Sequence, residues 1–69
     1  MKKIIIFGAG YYGNVAFYKL REHTEIVYYV DNNLHMQGTR LHGIPIISVR
    51  QLESIYDPTQ HNIIICVKE

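Results

Sequence analysis

Three glycines near the start of the chain have the spacing of a phosphate-binding loop. Gly8, Gly10 and Gly13 form the pattern G-x-G-x-x-G directly after the apolar run "IIIF". In this pattern the first glycine allows a sharp turn, the second leaves room for a pyrophosphate, and the third lets a helix pack closely. The N–H groups at a helix N-terminus also attract anions without a basic side chain. The spacing therefore predicts an anion site.

An acidic residue follows where a nucleotide site needs one. Asp31 ends the second apolar run, "IVYYVD", about 20 residues after the glycines, and such a carboxylate can accept hydrogen bonds from a ribose diol. This combination favours NAD as the ligand, although a plain turn with an acidic cap would also explain it. The predicted site comprises Gly8, Ala9, Gly10, Tyr11, Tyr12, Gly13, Asp31 and Asn32.

The elements that position this loop follow from the apolar patterns. Short runs of β-branched and aromatic residues predict buried strands, and the stripe of Val15, Ala16, Phe17 and Leu20 predicts a helix. Pro45 is expected to confine its strand to a sheet edge. The predicted strands are 3–7, 26–31, 44–48 and 62–67, the helices are 11 to about 22 and 49–56, and 32–43 is a connecting loop.

The connections between these elements restrict the topology. Crossovers between parallel strands are right-handed, so the simplest arrangement is a parallel sheet of about four strands in the order 3-2-1-4. One main helix then covers each face, which makes an α/β, three-layer half-Rossmann domain. Ligands of such sheets bind at the carboxyl ends of the strands, where the strand order reverses.

Composition excludes several classes of function. The chain has 69 residues, enough for a single domain with a thin core, and its net charge of +1 comes with no basic stripe for nucleic acid. The apolar runs are too short to span a membrane. A single cysteine, Cys66, is expected to be a buried structural thiol in a cytoplasmic protein. The four histidines lack the spacing of a metal site and are expected on the surface or in loops.

Four segments together resemble a known family. They are "IIIFGAGYYGNVAFYKL", "VYYVDNN", "GTRLHGIPIISVRQL" and "NIIICV", and they are similar to the small Rossmann module of bacterial surface-polysaccharide enzymes. Such modules form the N-terminal domain of nucleotide-sugar acyltransferases, methyltransferases and epimerases. The resemblance implies that the glycine loop holds a nucleotide diphosphate, that Asp31 lies near the nucleoside, and that a catalytic domain follows in the parent protein. The bulky Tyr11 and Tyr12 depart from many relatives and could narrow the pocket or stack on the ligand.

Three functions remain open at this point. The first is an NAD-type dinucleotide-binding module in nucleotide-sugar or polysaccharide biosynthesis. The second is the UDP-sugar-binding head of a sugar acyltransferase, and the third is a structural or oligomerisation module with an empty site. No general acid, base or nucleophile can be assigned, so catalysis is expected from the parent protein rather than from residues 1–69 alone. The apolar edge of the last strand predicts a homodimer or a monomer that tends to self-associate.

Overall fold

A computed structural model describes residues 2–67 and shows a small α/β fold. Five strands form a single sheet, and two helices connect strands that lie parallel. The elements are β1 (Lys3–Phe7), α1 (Tyr11–Leu20), β2 (Ile26–Val30), β3 (Arg40–Leu41), β4 (Ile44–Ile47), α2 (Val49–Ile55) and β5 (His61–Ile65).

The sheet is mixed rather than purely parallel, so that part of the sequence prediction is wrong. Its strand order is β3-β4-β2-β1-β5. The four parallel strands, β4-β2-β1-β5, have the predicted order, but β3 is an additional strand that runs antiparallel to β4. This strand lies within the segment 32–43 that the sequence predicts as a loop.

A tight hairpin turn produces the additional strand. His42 and Gly43 connect β3 to β4, and their φ angles are 55° and 76°. Two consecutive residues with positive φ form a type I′ turn, whose twist suits a two-residue hairpin. The Arg40 guanidinium donates a hydrogen bond to the carbonyl oxygen of Gly43 at 2.8 Å, which closes the turn.

Pro45 does not restrict its strand to the sheet edge, contrary to expectation. Strand β4 lies between β3 and β2. Its pairing with β2 involves only Ile46 and Ile47, which follow the proline. Because the ladder with β2 begins after Pro45, the missing N–H leaves no gap in it.

Each helix covers one face of the sheet. The side chains of β1 alternate, so that Ile4 and Ile6 face α1 while Ile5 faces α2. The α1-side core is formed by Ile4, Ile6, Ala9, Tyr29 and Ile46, and the α2-side core by Ile5, Val30, Ile47 and Leu52. These two thin cores hold the carboxyl ends of β1 and β2 side by side.

The two helices begin in different ways. Helix α2 has a capping box, in which the Ser48 side chain accepts from the Gln51 N–H and the Gln51 side chain accepts from the Ser48 N–H. Helix α1 begins after Gly10 with no side-chain cap and with no acidic residue in its first turn. Its first N–H groups are therefore left for another partner. Within residues 2–67, neither helix is long and apolar enough to cross a membrane.

Candidate functional site

The turn after β1 brings the carboxyl ends of three strands together. The Gly8 N–H donates to the carbonyl oxygen of Val30 at 2.7 Å, and the Cys66 N–H donates to that of Phe7 at 2.7 Å. Gly8 has a φ of +115°, and a Cβ there would lie 2.5 Å from the carbonyl oxygen of Cys66. Only glycine fits this position, because both the backbone angle and the neighbouring strand exclude a side chain.

Gly13 is equally constrained, for a different reason. It lies in the first turns of α1, where a Cβ would come within 1.8 Å of the carbonyl oxygen of Gly8. The helix therefore packs directly on the loop that precedes it. This contact fixes the direction of α1, so that its N-terminus opens at the carboxyl edge of the sheet.

Gly10 is the exception among the three glycines. A Cβ on Gly10 would have no atom within 4 Å apart from those of its chain neighbours, and its φ of −86° is accessible to any residue. It is the N-cap of α1, and the first helical hydrogen bond runs from the Asn14 N–H to the Gly10 carbonyl. The N–H groups of Tyr11, Tyr12 and Gly13 precede that bond and lack helical partners.

Asp31 lies directly beyond β2 and is bonded to the glycine loop. Its Oδ2 accepts a hydrogen bond from the Ala9 N–H at 2.9 Å, and its Oδ1 accepts one from the Asn33 N–H at 2.8 Å. The Gln37 side-chain amide donates to the Asp31 carbonyl at 2.8 Å. The carboxylate thus ties the loop after β1 to the turn after β2. Each oxygen retains a lone pair for a further donor.

The other predicted site residues surround this framework. Ala9 is buried in the α1-side core, whereas Asn32 is exposed. Tyr11 and Tyr12 are 75% and 48% exposed, and their rings meet edge to face with centroids 5.3 Å apart. The two rings lie at the start of α1 and are accessible to a ligand.

The contact between the hairpin and α1 was not predicted from the sequence. The His42 ring stacks on Phe17 with centroids 4.0 Å apart, and its Nε2 lies 2.6 Å from the Asn14 Oδ1. Asn14 directly follows Gly13, so the hairpin supports the helix close to the glycine loop. The available signal was the His42-Gly43 pair, a weak form of the Asn-Gly turn that favours hairpins.

The histidines and Cys66 of the described residues do not gather into a metal site. No group of three metal-ligating residues occurs within residues 2–67. Cys66 packs against the α1-side core but is only partly buried, which is less than predicted, and this burial raises the pKa of its thiol. A raised pKa keeps the thiol protonated and therefore less reactive near neutral pH.

The glycine loop forms an open surface at the carboxyl edge of the sheet. Two open grooves of about 240 and 280 Å³ are found instead at the opposite end of the sheet, where the strands begin. The fold and loop together define a small α/β module with two sterically required glycines, one open glycine, and an uncapped helix beside an acidic residue. A ligand would bind across this surface rather than inside a closed pocket.

Comparison with known proteins assigns the module to a family. Residues 1–68 match the family model described as C2185-like, N-terminal, and the chain belongs to that family. No curated protein matches it. Among solved structures it is similar to UDP-D-quinovosamine 4-dehydrogenase from Vibrio fischeri, with 27% sequence identity and a TM-score of 0.79. That similarity covers 93% of this chain and 55% of the dehydrogenase chain, so the chain spans about half the length of that structure.

Proposed function

We propose that the chain is a Rossmann-like nucleotide-binding module, with NAD as its ligand, in a protein of nucleotide-sugar or polysaccharide biosynthesis. The observation that carries the proposal is the contrast among the glycines. Steric contacts require glycine at positions 8 and 13, but no contact beyond the chain neighbours requires it at position 10. A glycine in open space beside an uncapped helix is explained by a phosphate group that approaches the backbone.

The residues present fit a dinucleotide. The N–H groups of Tyr11, Tyr12 and Gly13 would hold the pyrophosphate, and the first turn of α1 contains no acid to repel it. The free lone pairs on the Asp31 carboxylate would accept from the ribose hydroxyls, and its charge would disfavour a ribose phosphate. Bound NAD would supply a hydride acceptor. The substrate-binding site and the catalytic residues would lie elsewhere in the parent protein.

A UDP-sugar is the second candidate ligand, because the similar structure is a UDP-sugar dehydrogenase. A UDP-sugar also carries a diphosphate and a ribose diol, so the same loop and carboxylate would bind it. Under this proposal the module is the substrate-binding head of a sugar acyltransferase. The exposed Tyr11 and Tyr12 rings offer a stacking surface for the base of either ligand.

Equilibrium titration of the purified chain with NAD, UDP-N-acetylglucosamine and coenzyme A tests the proposal. We expect saturable binding of NAD, with weaker or no binding of coenzyme A. Tighter binding of the UDP-sugar would favour the second candidate. If none of the three ligands binds at millimolar concentration, the module is structural and the nucleotide proposal fails.

A further inference from the structure

A groove lies at the end of the sheet where the strands begin, opposite the glycine loop. It has a volume of about 280 Å³ and is lined by Lys3, Val27, Tyr28, Pro45 and His61. Lys3 and His61 are the first residues of β1 and β5, so the groove opens where the strands begin. Neither the glycine loop nor Asp31 contributes to it.

A β-bulge in β2 shapes one wall of this groove. The register between β1 and β2 shifts, because Ile4 pairs with Ile26 but Ile5 pairs with Tyr28. Val27 is the extra residue, and as a result Val27 and Tyr28 both pack against the α2-side core instead of pointing to opposite faces. Bulges redirect side chains and often occur beside functional sites. Here the bulge places an apolar wall and a phenol side by side.

The first residues of β1 and β5 bring two further polar side chains to the same face. Lys3 and His61 are paired in register on neighbouring strands. Ile5 and Ile63, two residues further along each strand, pack on the α2-side core, so Lys3 and His61 project to that face as well. The His61 Nδ1 accepts a hydrogen bond from the Asp57 N–H at 3.0 Å, which leaves Nε2 as the donor of the neutral ring.

The polar groups that line the groove suit an anion. It contains an ammonium group, an imidazole donor and a phenol, with Val27 and Pro45 as apolar walls, and it contains no carboxylate. Two acidic residues lie just outside the lining. Asp57 lies beside His61, to which its N–H is bonded, and Glu25 is exposed with its Oε2 4.0 Å from the Lys3 Nζ. This ion pair is long and solvent-exposed, so it is weak and another anion can replace it.

From these features we propose that the groove binds a small organic anion, in which a carboxylate pairs with Lys3 and an apolar body lies against Val27 and Pro45. His61 and Tyr28 would donate hydrogen bonds to the same carboxylate. The site is independent of the nucleotide proposal, since it uses other residues at the other edge of the sheet. The module would then have a second small-molecule binding site besides the proposed nucleotide site.

Amide chemical shifts of the labelled chain, titrated with benzoate, test this proposal. We expect saturable shifts at Lys3, Tyr28 and His61, with the N–H groups of the glycine loop unmoved. Benzamide has the same shape without the charge and should cause no such shifts. Equal responses to benzoate and benzamide, or no saturable response to benzoate, would overturn the proposal.

Variants that change single charges test whether Lys3 binds the carboxylate. Lys3→Gln should weaken benzoate binding about threefold to tenfold, because it removes the ammonium partner of the carboxylate. Glu25→Gln should tighten it, because it removes the competing carboxylate. Lys19→Gln, in the last turn of α1, makes the same charge change at a distance and should leave the affinity unchanged. A loss in Lys19→Gln as large as in Lys3→Gln, or weaker binding in Glu25→Gln, would contradict the proposed site.

Discussion

Asp31 shows how a single side chain serves both the fold and the proposed site. Its carboxylate accepts hydrogen bonds from the Ala9 N–H and the Asn33 N–H, so it holds the glycine loop against the end of β2. Ala9 is only 5% exposed, so its N–H has little access to water if the carboxylate is removed. The ribose contact proposed for Asp31 would use the remaining lone pairs of a group that already has a structural role.

Asp31→Ala should therefore affect stability and affinity together. Leaving the Ala9 N–H unpaired is expected to lower the free energy of unfolding by about 1–3 kcal/mol. Loss of the charge-assisted bond to the ribose should weaken NAD binding by about 10- to 150-fold. Urea unfolding and equilibrium titration measure the two effects. Unchanged affinity in the folded variant would show that Asp31 supports the loop without contacting the ligand.

Tyr29 carries a buried hydroxyl group that destabilises the fold. Its side chain is fully buried in the α1-side core, and its hydroxyl has no hydrogen-bond partner among the described residues. Burial raises the pKa of Tyr29 to about 12, with smaller contributions from Tyr18 and Cys66. The ordinary value is 10.0. In the unfolded chain this hydroxyl ionises at lower pH than in the fold.

The sign of the pH effect follows from this difference. The free energy of unfolding is unaffected by Tyr29 ionisation below pH 10 and falls as the pH rises from 10 towards 12, by about 1.4 kcal/mol per unit of pKa difference. Tyr29→Phe should flatten this loss and add about 1 kcal/mol at neutral pH, because it removes an unpaired buried hydroxyl. Urea unfolding at pH 8 and pH 11 makes the comparison. An equal loss of stability in both proteins at pH 11 would contradict this account.

At the scale of elements, the hairpin of β3 and β4 is the part of the fold that the sequence did not predict. The apolar runs of β1, β2 and β5 identify themselves, because β-branched residues cluster in them. The two residues of β3, Arg40 and Leu41, carry no such pattern. They pair only because the turn at His42 and Gly43 reverses the chain, and that turn depends on positive φ angles.

The hairpin also stabilises α1 through His42. His42→Asn keeps a residue that tolerates positive φ but removes the ring that stacks on Phe17 and bonds to Asn14. We expect the free energy of unfolding to fall by about 1–2 kcal/mol, from the lost stacking and hydrogen bond. Chemical denaturation measures the change. In the background of Asn14→Ala the loss should be smaller, and a fully additive double variant would argue against the contact with Asn14.

In the whole molecule as far as residues 2–67 describe it, β5 is an edge strand of the sheet with no partner on its outer side. It occupies the end of the strand order next to β1, and Ile65 at its end is 72% exposed. An apolar edge strand with free backbone groups is a template for another strand. We propose that two copies of the chain associate through this edge.

Sedimentation over a range of concentrations tests this association. The chain should dimerise, and Ile65→Lys should shift it to monomer, because a lysine on an edge strand disfavours pairing. Leu34→Lys is the matched control, since Leu34 is 80% exposed in a loop away from β5. A clean monomer at high concentration would refute the dimer, and an equal effect of both lysines would indicate general charge repulsion.

Some features of the candidate site could be predicted from the sequence and others could not. Gly8 and Gly13 were assigned roles from spacing alone, and the structure gives both glycines the steric reasons that the spacing implies. The bond between Asp31 and Ala9 joins residues 22 apart, and only the register of β1 and β2 brings them together. The bulge at Val27 was likewise hidden, because one extra residue in a strand leaves no mark on an uninterrupted apolar run.

The affinity of Gly10→Val for NAD distinguishes a phosphate-binding loop from a plain turn. Gly10 faces open space, so a valine there should leave the fold intact, with a melting temperature within a few degrees of the parent. Its branched side chain would occupy the place of the pyrophosphate, and we expect binding to fall at least about 100-fold, or roughly 2.7 kcal/mol. Gly13→Val is the control for steric damage and should unfold the chain. If folded Gly10→Val binds NAD as tightly as the parent, the glycine loop is only a turn and the nucleotide site proposed here is wrong.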